Sequence, residues 1–188
     1  MKNLKTIAIA LLVAVSFSAN AQEKKIDIKE SSIKWVGKKV TGQHEGTIDL
    51  KSGVAIFKKG KLVGGNFTAD MGSIQVTDLE AGKGKEKLEG HLKADDFFGT
   101  DQHPTAKLVI KKIDEKSAGL YRATADLTIK GITNSISFDI NVVKENITAA
   151  LKVDRTKFGI KYKSKNFFEG LGDNVIYDEF DLNVNLKF

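Results

Sequence analysis

The chain predicts an all-β protein, an antiparallel barrel of about eight strands with a short helical insert near residues 78–98. The first observation behind this is strict alternation. In the last nine residues Phe180, Leu182, Val184, Leu186 and Phe188 are apolar, while Asp181, Asn183, Asn185 and Lys187 are polar. A strand sends successive side chains to opposite faces, so this segment has one apolar and one wet face. The same period runs through Ala123, Ala125, Leu127 and Ile129, through Ile136, Phe138, Ile140 and Val142, and through Ile147, Ala149, Leu151 and Val153. The second observation is that gaps of only about two to four residues separate these segments, which dictates up-and-down antiparallel order because parallel neighbours need long crossovers. Thirdly, the alternation stops between Thr77 and Pro104, where Lys, Glu, Leu and Ala dominate.

Residues 1–21 read as a secretory leader. Lys2 and Lys5 precede an apolar run from Ile7 to Val15, and Ala19, Asn20 and Ala21 form a small-residue cleavage site near Ala21. At roughly ten residues the run is too short for a membrane-spanning helix. The remaining residues, 22–188, are expected to form one domain, with no linker and a single proline, Pro104.

The first strand is expected over 32–40, followed by two short strands over 47–50 and 53–57 around a turn. A turn at 60–65 leads to a strand over 66–76 with Phe67, Ala69 and Met71 on one side. Helical spacing appears in 85–98, where Leu88 and Leu92 lie four apart and Gly90 or Gly99 is placed to break or end the helix. Strands then resume over 106–113, 121–132, 135–144, 147–154, 157–164 and 176–188. Hairpin signals lie at 117–119, 133–134 and 145–146.

Charge and composition exclude several functions. The formal charge falls from +6 to +4 once the leader lysines are removed, and lysines are spread over every strand. No basic face, stacking platform or recognised motif indicates nucleic acid. With no Cys in the chain, disulfides, thiolate chemistry and a lipid-modified N-terminal cysteine are excluded. His44, His91 and His103 follow no metal-ligand spacing, and no nucleophile, phosphate-loop or paired-carboxylate motif stands out.

Four ordered segments resemble the YceI-like family. They are His91 to Phe98 followed by His103 and Pro104, Leu127 to Thr133, Asp154 to Ile160, and Leu171 to Asp173. The resemblance runs in order from about 32 to 188, nearly all of residues 22–188. It implies a lipocalin-like barrel, periplasmic or secreted, that holds a polyisoprenoid or related lipid, with neither catalysis nor a cofactor. The expected function is therefore a carrier or store for a long-chain isoprenoid-type lipid, such as a polyprenyl phosphate or quinone, without stable membrane insertion. A homodimer through an edge strand or barrel face is compatible with the pattern.

Two alternatives are an accessory protein of isoprenoid or quinone metabolism and a small outer-membrane barrel. Alternation ending in Phe188 favours the latter. Three Tyr and one Trp are few for its aromatic girdles, and one strand face is charged.

Parity nominates the site. Trp35, Phe67, Met71, Leu127, Ile129, Phe138, Leu151, Phe158, Tyr162, Phe180 and Leu182 are the expected barrel lining, and Phe97 and Phe98 the expected lid. Arg155 shares parity with Leu151 and Val153, so a regular strand would carry its guanidinium to the interior or rim, where it suits a phosphate or pyrophosphate head. Its alternatives are a pair with Asp173 or Asp178, or a bulge at Asp154 that turns it outward. Beyond Thr156 the apolar parity shifts to Phe158, Ile160 and Tyr162, which predicts a bulge or bend near Thr156 and Lys157.

Overall fold

A computed structural model describes residues 21–188; the leader expected over 1–21 lies, except for Ala21, outside the described residues. Nine strands form one sheet: β1 (Gln22–Lys25), β2 (Asp27–Lys39), β3 (Gly42–Lys58), β4 (Lys61–Val76), β5 (Thr105–Ser117), β6 (Leu120–Ile129), β7 (Ile132–Val143), β8 (Asn146–Asp154) and β9 (Ile176–Lys187). Among the described residues the one α-helix, α1, spans Lys85–Lys93 between β4 and β5. From β2 to β9 each strand pairs antiparallel with the next, and β9 returns to pair with β2. Eight strands thus close into a barrel, and closure removes the free edges that would invite other chains to pair. Among the described residues the ninth, β1, pairs only with Val54–Phe57 of β3.

Turn chemistry sets the register. The β3–β4 and β6–β7 hairpins turn on Lys59-Gly60 and Lys130-Gly131, all four with positive φ between 51° and 76°. Two consecutive positive φ values are what a two-residue hairpin turn needs. This corrects two expected turns. Thr133 and Asn134 lie inside β7, because the Lys-Gly pair before them takes the left-handed backbone that a β-branched Thr disfavours. Gly64 and Gly65 lie inside β4, where a Cβ on Gly65 would come within 2.8 Å of the Val54 carbonyl oxygen.

Three further expectations are corrected. The two short strands over 47–50 and 53–57 are one strand, β3, with irregular pairing between Leu50 and Ser52 that absorbs the apparent turn. The strand expected over 157–164 does not form. Instead Asp154 caps a 3-10 turn, Arg155–Phe158, by accepting from the Thr156 backbone N–H at 2.9 Å, and Gly159 ends it at φ 78°. The helix runs through Gly90 and ends at Lys93, after which residues 94–100 continue in turns.

The two barrel ends differ. At one, the hairpin tips meet Phe57, Leu62, Tyr121 and Phe188, with the Phe57 and Phe188 rings 4.9 Å apart and the Tyr121 hydroxyl accepting from the Leu62 N–H. The other carries α1, the 3-10 turn and the long segment 159–175. There Glu89 of α1 accepts from the Val76 N–H at 2.8 Å, fastening the helix to the end of β4.

Candidate ligand cavity

All eight barrel strands turn apolar side chains onto a cavity of about 130 Å³. Its floor and walls include Leu62, Phe67 and Met71 from β4, Leu127 and Ile129 from β6, Phe138 and Ile140 from β7, Leu151 from β8, and Phe180 and Leu182 from β9. The void exists because small residues stand at inward positions among these large ones. Ala69, Ala106 and Ala149 border it, where Leu or Phe would fill it. Inward alanines were the readable sign of a void, and the parity argument passed over them in favour of bulky residues.

A second, smaller chamber of about 60 Å³ lies between the barrel and α1. Trp35, Ile74, Leu92, Phe97, Arg155 and Tyr177 border it, and Ile48, Phe98 and Phe180 belong to both chambers. Phe98 stands at this partition, edge-on to Phe180 at 6.3 Å and to Phe97 at 5.2 Å. Phe97 itself is buried. Phe158 and Tyr162, both expected on the wall, border neither chamber. The chain leaves β-geometry after Asp154, so Phe158 packs into the core under the end and the Tyr162 ring packs tilted against His91, with ring centres 4.4 Å apart.

Arg155 is 2% exposed. Its guanidinium donates from Nε to the Tyr177 carbonyl at 3.2 Å, from Nη1 to Ile160 at 2.9 Å, and from Nη2 to Ile176 at 3.0 Å and to Asp178 Oδ1 at 3.4 Å. Four of the five N–H groups are therefore engaged within the fold. Burial pushes its pKa below the ordinary guanidinium value, against the opposing pull of Asp178 and Asp154. Two buried ring nitrogens, Trp35 Nε1 and His91 Nε2, have no hydrogen-bond partner among the described residues.

The polar clusters sit outside the cavity. His44 Nδ1 lies 2.8 Å from Asp78 Oδ2. Burial raises the Asp78 pKa, yet the Glu45 N–H and the His44 ring outweigh it and hold the carboxyl below its ordinary value. Among the described residues no group of three or more His, Asp or Glu is placed to hold a metal ion. The barrel exterior carries ion pairs, including Asp181 with Lys38 and Lys152, each at 2.8 Å.

The YceI-like domain model matches residues 25–188. The chain belongs to the YceI-like family. Among curated relatives, the UPF0312 protein of Staphylococcus aureus strain USA300 is 36% identical over 88 residues, 41% of this chain and 48% of the relative. The UPF0312 protein of strain MRSA252 is 38% identical over the same length. The chain thus spans about half the length of the curated relatives it matches.

Solved structures share the fold at low identity. Burkholderia cenocepacia BcnA gives a TM-score of 0.65 at 20% identity, covering 86% of this chain and 98% of that one. A polyisoprenoid binding domain from Saccharophagus degradans, implicated in plant cell wall breakdown, gives 0.58 at 14%, covering 86% and 95%. The Campylobacter jejuni YceI protein gives 0.53 at 15%, covering 100% and 90%.

Proposed function

We propose that the chain is a periplasmic or secreted carrier or store for a long-chain isoprenoid-type lipid, held with its tail inside the barrel. The observation that carries this is a closed barrel whose interior cavity is walled almost wholly by hydrocarbon. Each buried methylene contributes about 0.8 kcal/mol, so roughly ten carbons give about 8 kcal/mol before association costs, whereas micromolar binding needs about that much after them. A longer tail offsets those costs, and it enters only if the barrel widens beyond its cavity of about 130 Å³. No bond is made or broken, so the reading needs no cofactor. The leader-like segment 1–21 and the family support the location, and the polyisoprenoid binding domain of S. degradans supports the ligand class.

The head group is the finer question. The engaged donors of Arg155 argue against a phosphate receptor and support a structural role for that residue. Trp35 borders the smaller chamber beside α1, but its indole Nε1 is itself buried, so it supplies no exposed donor to a head group. The exterior argues against the outer-membrane alternative, since ion pairs stand where lipid contact would be required and the interior is apolar.

The test is to purify the protein from its native periplasm, extract it with organic solvent and identify the extract by mass spectrometry. A stoichiometric long-chain isoprenoid or quinone is expected. An empty protein that also takes up no hydrophobic dye would overturn the carrier reading.

A further inference from the structure

Of the nine exposed large hydrophobic residues among the described ones, five belong to a single barrel end: Val40, Ile132, Phe167, Phe168 and Tyr177, each 43–49% exposed. They come from four separate pieces of chain that the fold brings together. The Val40 N–H donates to the Val175 carbonyl, and Ile176 N–H to Lys163, so the β2–β3 hairpin tip and the segment 161–175 are joined. On the other flank Ile132 lies against Gly159. Arg155 holds both feet of this segment through the carbonyls of Ile160 and Ile176.

The segment is built to present its aromatics. Ser164 is fully buried, its carbonyl accepts from the N–H groups of Phe167 and Phe168, and its hydroxyl accepts from Asn166 N–H. Asn166 donates in turn to Asp178 Oδ2 at 2.6 Å. The two phenyl rings thus stand outward on a fixed turn, although both carry the hydrophobic cost of exposure. Lysines precede them closely in the chain. Lys161, Lys163 and Lys165 precede Phe167, with Lys161 Nζ 4.6 Å from the centre of its ring. Glu169 and Asp173 are the acids within the same segment.

We propose that this barrel end docks on an anionic lipid bilayer, with Phe167, Phe168 and Tyr177 entering the headgroup boundary and the three lysines meeting anionic headgroups. The inference rests on the carrier reading for its purpose, since Tyr177 also borders the smaller chamber beside α1, which meets the barrel cavity at Ile48, Phe98 and Phe180, and docking there lets a lipid pass between bilayer and barrel without crossing water. Apolar and aromatic groups framed by Lys are the composition of an interfacial contact, and each Lys adds attraction that salt screens. Charge commits the occupant to a bilayer with anionic lipid.

The experiment is flotation of the protein, expressed with its own leader and purified from the periplasm, with vesicles of phosphatidylcholine alone or of phosphatidylcholine and phosphatidylglycerol at 70:30. The expected result is at least tenfold stronger partition to the mixed vesicles, lost in high salt. F167S/F168S should weaken partition at least tenfold, and K161E/K163E/K165E should remove the preference for phosphatidylglycerol. Both variants should keep the far-ultraviolet circular dichroism and the dissolved-dye uptake of the parent. No flotation of the parent, or undiminished flotation of the folded F167S/F168S variant, overturns the proposal. Flotation without dye uptake overturns the carrier reading and leaves docking standing.

Discussion

Arg155 and Gly46 show how single positions hold this fold. Arg155 closes the base of a long segment by donating to three carbonyls and one carboxylate. Arg155→Met is expected to cost about 3 kcal/mol, because it leaves buried acceptors and Asp178 without their donor. Urea unfolding measures this. Where the variant folds, affinity for neutral and phosphorylated amphiphiles should fall together; a loss confined to phosphorylated ones would restore the head-group role. Gly46 is needed for close approach, since a Cβ there would lie 1.8 Å from the Gln75 carbonyl oxygen and 2.6 Å from the Trp35 ring. Gly46→Ala should therefore cost more than about 4 kcal/mol. The fluorescence of Trp35, the sole tryptophan, reports it directly.

The turn after α1 places two adjacent phenylalanines in different roles. Phe97 is buried with its ring 5.8 Å from the Arg155 guanidinium carbon, so it anchors the turn to the end of the barrel. Phe98 is half-buried and stands between the two chambers. Phe97→Ala is expected to lower stability by about 3 kcal/mol, whereas Phe98→Ala should cost less than about 2 kcal/mol. Instead Phe98→Ala should speed release of a bound fluorescent lipid roughly tenfold, seen by stopped-flow displacement. Equal release rates would remove Phe98 from any gating role. Adjacent aromatics were visible in the sequence, but their division of labour depends on what α1 packs against.

Acid stability tests the whole barrel, because three depressed carboxylates tie separate elements. Hydrogen bonds from Lys152 and Lys38 hold Asp181 below its ordinary 3.8, joining β8, β9 and β2. Arg122 and Lys116 do the same for Asp139, and the Glu45 N–H and the His44 ring do so for Asp78. A carboxylate whose folded pKa lies below its unfolded value contributes stability that is complete above the unfolded value and disappears as pH falls through the folded one. The urea midpoint should therefore be level from about pH 5 to 8 and fall below about pH 4. Asp181→Asn should be less stable at neutral pH and show a shallower acid fall. A parallel fall in both proteins would show that Asp181 carries none of it.

The period-two pattern determined the all-β class, the antiparallel order and which face of each regular strand turns inward, because alternation is a local property of strand geometry. Leu127, Phe138, Leu151 and Leu182 reach the cavity wall by that rule alone. The pattern failed where a local signal had a tertiary competitor. Asp154 capping and the left-handed Gly159 turned an alternating stretch into a 3-10 turn, and pairing with β4 along its length straightened β3 through Ser52 and Gly53. Only the closed barrel decided that inward alanines leave a void, that Arg155 spends its donors on backbone carbonyls, and that Val40, Ile132, Phe167, Phe168 and Tyr177 share one end. Those are relations between residues far apart in the chain, and their energies exist only once closure brings the partners together.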